Sequence, residues 1–100
     1  MLEELEYTID EGENTPFNIT VYALSTCGFC KRGLAFLRDN KIKFRYIFVD
    51  MIGQDLRLRT KKELSDKYNE RIGFPFVVLN DGETILVGFK EEKWKETFKV

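Results

Sequence analysis

Two cysteines separated by two residues, Cys27-Gly28-Phe29-Cys30, lie between an apolar run and an amphipathic segment, and no other feature constrains the chain as tightly. Ahead of them, Phe17 to Leu24 has the β-branched and aromatic content of a strand. Behind them, Cys30, Leu34 and Leu37, with Ala35 and Phe36 beside them, form the apolar face of a helix ending near Asn40, a residue suited to a left-handed cap. A second strand-like run, Ile42 to Asp50, follows, and a helix joining two strands implies that they run roughly parallel. Both thiols therefore belong at the strand-to-helix turn of a βαβ unit.

The rest of the chain extends that unit. From about Asp55 to Asn69 the segment is rich in Leu, Arg, Lys and Glu, with Leu64 and Tyr68 one turn apart, and reads as a charged surface helix before Gly73. Phe76 to Leu79 and Thr84 to Val87 flank Asn80-Asp81-Gly82, a hairpin signal because Gly tolerates positive φ, so these two strands are antiparallel. Glu91 onward reads as a closing helix whose Trp94 and Phe98 pack on the sheet. Residues 1–16 are ambiguous: Leu5, Tyr7 and Ile9 alternate as in a strand, while Leu2, Leu5 and Ile9 also fit helical spacing. The expected organisation is an acidic N-terminal extension over residues 1–16 and one domain over 17–100.

Composition narrows the function classes. With 43% hydrophobic and 33% charged residues the chain reads as a globular domain. Its uncharged runs fall far short of the roughly 20 apolar residues that span a bilayer, and its acidic start lacks the basic and apolar regions of a signal peptide. The expectation is a cytoplasmic monomer with no membrane partner. The formal charge of −1 hides an asymmetry, since residues 1–15 hold six acids and no base, leaving residues 16–100 at +5. Those bases are scattered among acids rather than clustered, which argues against a nucleic-acid partner. Because His is absent, Ser-His-Asp triads, Cys-His pairs and zinc sites built on imidazole are excluded.

Thiol chemistry, or a function without a residue signature, remains, and the spacing suits the first. Residues three apart in a regular helix have Cβ atoms about 5–6 Å apart, whereas a disulfide wants about 3.5–4.5 Å, so the bond closes easily only with Cys27 at a loosened first turn, a freedom Gly28 supplies. At a helix N-terminus a Cys27 thiolate meets unpaired backbone N–H groups, and Lys31 and Arg32 add nearby cations, which marks Cys27 as the nucleophile. Cys30, one turn inside on the apolar face, is the shielded resolving thiol. Two other readings stand beside this one: a structural cysteine pair, and half of a zinc site completed by a second copy. No site for a metal is expected within one chain. Phe29 has no core face demanding it and is a candidate for apolar contact with substrate, with simple packing as the alternative. Phe74-Pro75, entering the third strand, supplies no N–H at Pro75 and accepts a cis bond at modest cost, although taken without the cysteine motif an ordinary trans turn proline is the better reading.

Taken together, the strand, Cys-Gly-Phe-Cys, helix, strand, helix, Phe-Pro, hairpin and final helix over about residues 17–98 resemble a glutaredoxin, within the thioredoxin-fold superfamily. The resemblance implies an α/β fold of thioredoxin type: a three-layer α/β/α sandwich around a central mixed four-stranded sheet. It implies a thiol-disulfide oxidoreductase with Cys27 as nucleophile, Cys30 as its partner, and a cis Pro75 facing the disulfide. Phe74 would offer backbone N–H and C=O to an extended substrate. Glutathione-using members usually carry Lys three residues before the first Cys, where this chain has Leu24, and a Gly-Gly pair followed by an acid, where it has Val87-Gly88-Phe89-Lys90-Glu91. Arg57, Arg59 and Lys62 are the cations available to compensate. Gly88-Phe89-Lys90 looks more like the Gly-Phe-Arg segment of the glutaredoxin-like redoxins that serve ribonucleotide reductase and are reduced by thioredoxin reductase, which adds Gly88 and Phe89 to the substrate-binding candidates. Cys-Gly-Phe-Cys is also similar to the Cys-Gly-Phe-Ser of monothiol glutaredoxins, which share an iron-sulfur cluster across a dimer through glutathione thiols. The implied partners are disulfide-containing proteins and a reductase such as thioredoxin reductase, or glutathione. No cofactor is implied beyond the redox-active disulfide, with glutathione as the exception.

Overall fold

The apolar run ahead of the cysteines becomes a strand covered on both faces. In the computed structural model, which describes residues 2–100, it forms β2 (Ile19–Ala23), and each of its residues is buried. Helices on both sides remove the solvated face that alternating polarity would serve. Ile19, Val21 and Ala23 join one cluster with Leu34 and Leu37 of α1 (Gly28–Asp39) and Trp94 and Phe98 of α3 (Glu91–Phe98). Tyr22 joins the opposite cluster with Leu64 of α2 (Gln54–Tyr68). The result is the expected three-layer α/β/α sandwich.

The sheet has five strands rather than four, in the order β1 (Thr8–Asp10), β3 (Phe44–Phe48), β2, β4 (Phe76–Leu79) and β5 (Thr84–Val87). β2 and β3 are parallel, with Thr20 opposite Arg45 and Ala23 opposite Phe48, and α1 connects them. β4 runs antiparallel to β2, and β5 antiparallel to β4. The additional strand comes from the acidic segment and pairs antiparallel with β3, Thr8 opposite Tyr46 and Asp10 opposite Phe44. Its three residues hold too little pattern to select a strand locally; contacts made by distant residues do so. Arg38 Nε donates to Asp10 Oδ2 at 2.6 Å, and the Arg45 guanidinium lies 4.1 Å from the centre of the Tyr7 ring. The Tyr7 hydroxyl donates to the Leu2 carbonyl at 2.8 Å and shares a 2.9 Å hydrogen bond with the Tyr22 hydroxyl. Leu2 to Glu4 form a 3₁₀ turn, so the segment is part turn and part strand.

Local signals hold at most other boundaries. Asn80, Asp81 and Gly82 turn the β4–β5 hairpin with φ of 50°, 58° and 111°, values that Asn, Asp and Gly tolerate best. Asn69 closes α2 at φ 52°. The end of α1 differs from expectation: Asn40 has φ −94°, and the left-handed residue is Lys41 at 56°. Asn40 caps through its side chain instead, Nδ2 donating to the Phe36 carbonyl at 2.9 Å. Among the described residues, no helix is long and apolar enough to cross a membrane.

Candidate active site

Cys27 is the N-cap of α1. Its backbone is extended, at φ −92° and ψ 120°, and its Sγ accepts the Cys30 N–H at 3.2 Å, as a Ser or Asp side chain does at other helix starts. Its carbonyl accepts the Lys31 N–H at 3.1 Å, the first turn of the helix. Cys27 is half-buried, Cys30 is fully buried, and both are free thiols. Cys30 Sγ in turn accepts the Leu24 N–H at 3.4 Å, so a backbone donor points at each sulfur. Burial, reinforced by the hydrogen bond with Cys27, pushes the Cys30 thiol up to about 12.

A folded-state value above the ordinary cysteine range has a defined sign. The unfolded chain loses the Cys30 proton first, near pH 8.5, so the stability this group contributes is complete below that pH and is lost as pH rises toward 12. The expected result is a reduced protein whose urea midpoint falls across this window more steeply than that of Cys30→Ala. Iodoacetamide at pH 8 should modify native Cys30 at least a hundredfold more slowly, by the size of that gap, than an ordinary exposed thiol. Equal pH slopes in the two proteins, or rapid Cys30 modification, would contradict the assignment.

Pro75 and the Gly88 loop lie beneath this helix. The Phe74–Pro75 peptide is cis, and Pro75 is buried against Gly33 of α1. A Cβ at Gly33 would stand 3.5 Å from Pro75 Cγ and 2.9 Å from Trp94 Cη2, so only glycine lets α1 approach so closely. Gly88 adopts φ +80°, a region that favours glycine, and its N–H donates to the Pro75 carbonyl at 2.8 Å. Trp94 Nε1 donates to the Gly88 carbonyl at 3.2 Å, tying α3 to the same loop. Phe74 precedes the first paired residue of β4, is half-buried, and lies under Lys61 Nζ, 5.8 Å from its ring centre.

The remaining candidates separate. Phe29 is 57% exposed on the first turn of α1, with the Arg32 guanidinium 5.6 Å from its ring centre. Lys31 and Arg32 are both exposed, and the hydrogen bond reaching Cys27 Sγ comes from backbone rather than from either. Gly28 is exposed, and a Cβ there would meet open space, so crowding does not demand glycine. Phe89 is half-buried: its ring packs on Trp94, 4.8 Å between centres, and Phe36, 5.8 Å, and it also lines a surface groove with Arg32 and Asp39. Of the three compensating cations, Lys62 pairs with Asp66 at 2.8 Å and Arg59 lines a groove with it. Arg57 is half-buried, its charge acts on Asp50, and its Nε is buried without a hydrogen-bond partner among the described residues. Among the described residues, no group of three or more metal-ligating side chains comes together.

Two residues at the site carry no motif. Asp50, in a 3₁₀ turn over Val49–Met51, accepts the Ser25 N–H at 2.9 Å on Oδ1 and the Ser25 hydroxyl at 2.5 Å on Oδ2. These bonds hold its carboxyl below the usual carboxylate range. The available signal was an acid closing the apolar run Ile47-Phe48-Val49, at the strand end beside the thiols.

Comparison with known proteins matches this arrangement. No curated protein matches the chain. A family model described as Glutaredoxin matches residues 19–85. A glutaredoxin from Methanosarcina mazei Go1 superposes with a TM-score of 0.77 at 29% identity, covering 94% of this chain and 88% of that one. Methanosarcina acetivorans methanoredoxin superposes at 0.75 with 35% identity, covering 86% and 88%, and a glutaredoxin from Archaeoglobus fulgidus at 0.70 with 29%, covering 85% and 89%. With the family model spanning both cysteines and the cis proline, the chain belongs to the glutaredoxin family of thiol-disulfide oxidoreductases.

Proposed function

We propose that Cys27 and Cys30 are the working dithiol of an electron carrier that reduces disulfides in proteins or small molecules. The observation that carries this reading is the pairing of a half-buried Cys27, its Sγ met by the Cys30 N–H at 3.2 Å, with a Cys30 thiol fully buried one turn behind. The Cys27 thiolate attacks one sulfur of a substrate disulfide; the other sulfur leaves as a thiolate and takes a proton. Cys30 then attacks Cys27 Sγ, the substrate's remaining sulfur leaves as a thiol, and a Cys27–Cys30 disulfide forms. Two electrons have passed from the dithiol to the substrate.

Cys30 must lose its proton in the second step. Once Cys27 is tied to substrate it no longer bears the charge that helps hold Cys30 protonated, and the Leu24 N–H stabilises the emerging thiolate. Proximity adds to this, because the attack is intramolecular. Phe29, exposed beside the thiol, and Phe74, at the open end of β4, are the proposed substrate contacts, with Gly88 holding Pro75 in place.

The reductant that resets the disulfide is proposed to be a reductase of the thioredoxin reductase class, since Leu24 occupies the position where a cation would meet a glutathione carboxylate. One observation favours glutathione instead: the buried Nε of Arg57, whose charge acts on Asp50, is a donor without a hydrogen-bond partner among the described residues. The deciding experiment offers the oxidised protein either excess reduced glutathione or thioredoxin reductase with NADPH, followed by alkylation and intact mass. Two free thiols with the reductase alone are expected. Equally rapid reduction by glutathione, or its adduct on Cys27, would assign the glutathione route.

A further inference from the structure

We propose that Asp50 is a positioning residue for Cys27, acting through Ser25. The inference rests on the reading of Cys27 as the attacking thiol. The parallel β2–β3 ladder ends at Ala23 opposite Phe48, and two residues further along each strand stand Ser25 and Asp50. Where backbone pairing stops, the carboxylate takes over, receiving both the N–H and the hydroxyl of Ser25. Such charge-assisted bonds are about twice as strong as neutral ones. The turn they anchor has one long internal bond, Cys27 N–H to the Leu24 carbonyl at 3.3 Å, and Thr26 at its corner is exposed. Without the carboxylate, the turn is held by that long bond, by the Leu24 N–H on Cys30 Sγ and by the Lys31 N–H on the Cys27 carbonyl, and its loosening shifts Cys27 Sγ relative to the Cys30 N–H.

A negative charge near thiols also opposes thiolate formation, so the two effects of Asp50 compete. The charge acts weakly: on Cys30 it ranks below burial, the bond with Cys27, the Leu24 N–H and the charge of Cys27. The two bonds to Ser25 reach the turn that carries Cys27, and removing the carboxylate is expected to weaken Cys27 through that turn.

The test compares Ser25→Ala, Asp50→Ala, the double variant and Ser25→Thr with the parent. Two quantities are read at pH 7: the rate of Cys27 alkylation by iodoacetamide, and the dithiol–disulfide equilibrium in a glutathione redox buffer. Asp50→Ala, which loses both bonds, is expected to slow alkylation about tenfold and move the equilibrium toward the disulfide by about tenfold, as loss of one such thiolate contact implies. Ser25→Ala keeps the backbone N–H bond and should move both readings the same way by less, and the double variant should go no further than Asp50→Ala, because the two residues act as one unit. Ser25→Thr, which keeps the hydroxyl, should retain parental values. Parental behaviour in Asp50→Ala, a double variant that goes further than Asp50→Ala, or failure of Ser25→Thr to retain function would each overturn the proposal. Should Asp50→Ala fail to fold, Asp50→Asn, which loses the charge of the acceptor, takes its place with a loss in the same direction expected, and parental values there would overturn the proposal. Alkylation needs no disulfide substrate, so a parent protein inactive as a reductase would overturn the proposed function while leaving this measurement readable.

Discussion

Cys27→Ser is expected to abolish disulfide reduction, with a loss of at least about a thousandfold, because removing an enzyme's nucleophile removes the step on which the others depend. A serine hydroxyl at the N-cap still accepts the Cys30 N–H, so the helix start survives while the nucleophile is gone. Cys30→Ser separates the two steps. Cys27 still attacks, but no buried thiol displaces the substrate, and the mixed disulfide should accumulate to near stoichiometric amounts. Intact mass after mixing with an oxidised protein substrate reads both outcomes. A fully active Cys27→Ser variant would sink the assignment, and rapid release from Cys30→Ser would deny Cys30 its resolving role.

The second large effect is on stability. Trp94 is buried, its ring packs on Phe36, Phe89 and Phe98, and its Nε1 holds the Gly88 carbonyl. Trp94→Ala leaves a cavity under Gly33 and Pro75 and is expected to cost about 3–5 kcal/mol of unfolding free energy. That is a large fraction of the roughly 5–15 kcal/mol available to a domain of this kind. Trp94→Phe keeps most of the ring and should lose less. Urea unfolding followed by circular dichroism measures both, and a cost below about 1 kcal/mol for the alanine variant would show that the Trp94 cavity collapses.

Much of this molecule is legible locally. The hairpin at Asn80-Asp81-Gly82 and the helix start at Cys27 follow from residues whose conformational preferences act within a few positions. The βαβ unit follows from apolar periodicity, and the absence of His removes imidazole-dependent triads, Cys-His pairs and imidazole-based zinc sites. The strand at Thr8–Asp10 was not legible in the same way, because Tyr22, Arg38 and Arg45 stabilise it from 15 or more residues away. Asn40 failed as the left-handed cap for a related reason: its side chain found the Phe36 carbonyl, and Lys41 took the turn.

The sequence by itself determined the two thiols, their spacing, the strand and helix that flank them, and therefore the class of chemistry. Those properties are set by neighbours along the chain. Tertiary structure alone decided that Gly33 lets Trp94 and Pro75 approach the helix, and that Asp50 grips Ser25 where the ladder ends. Each of these joins residues far apart in the chain, and burial and hydrogen bonding act on distance in space, which sequence separation does not encode.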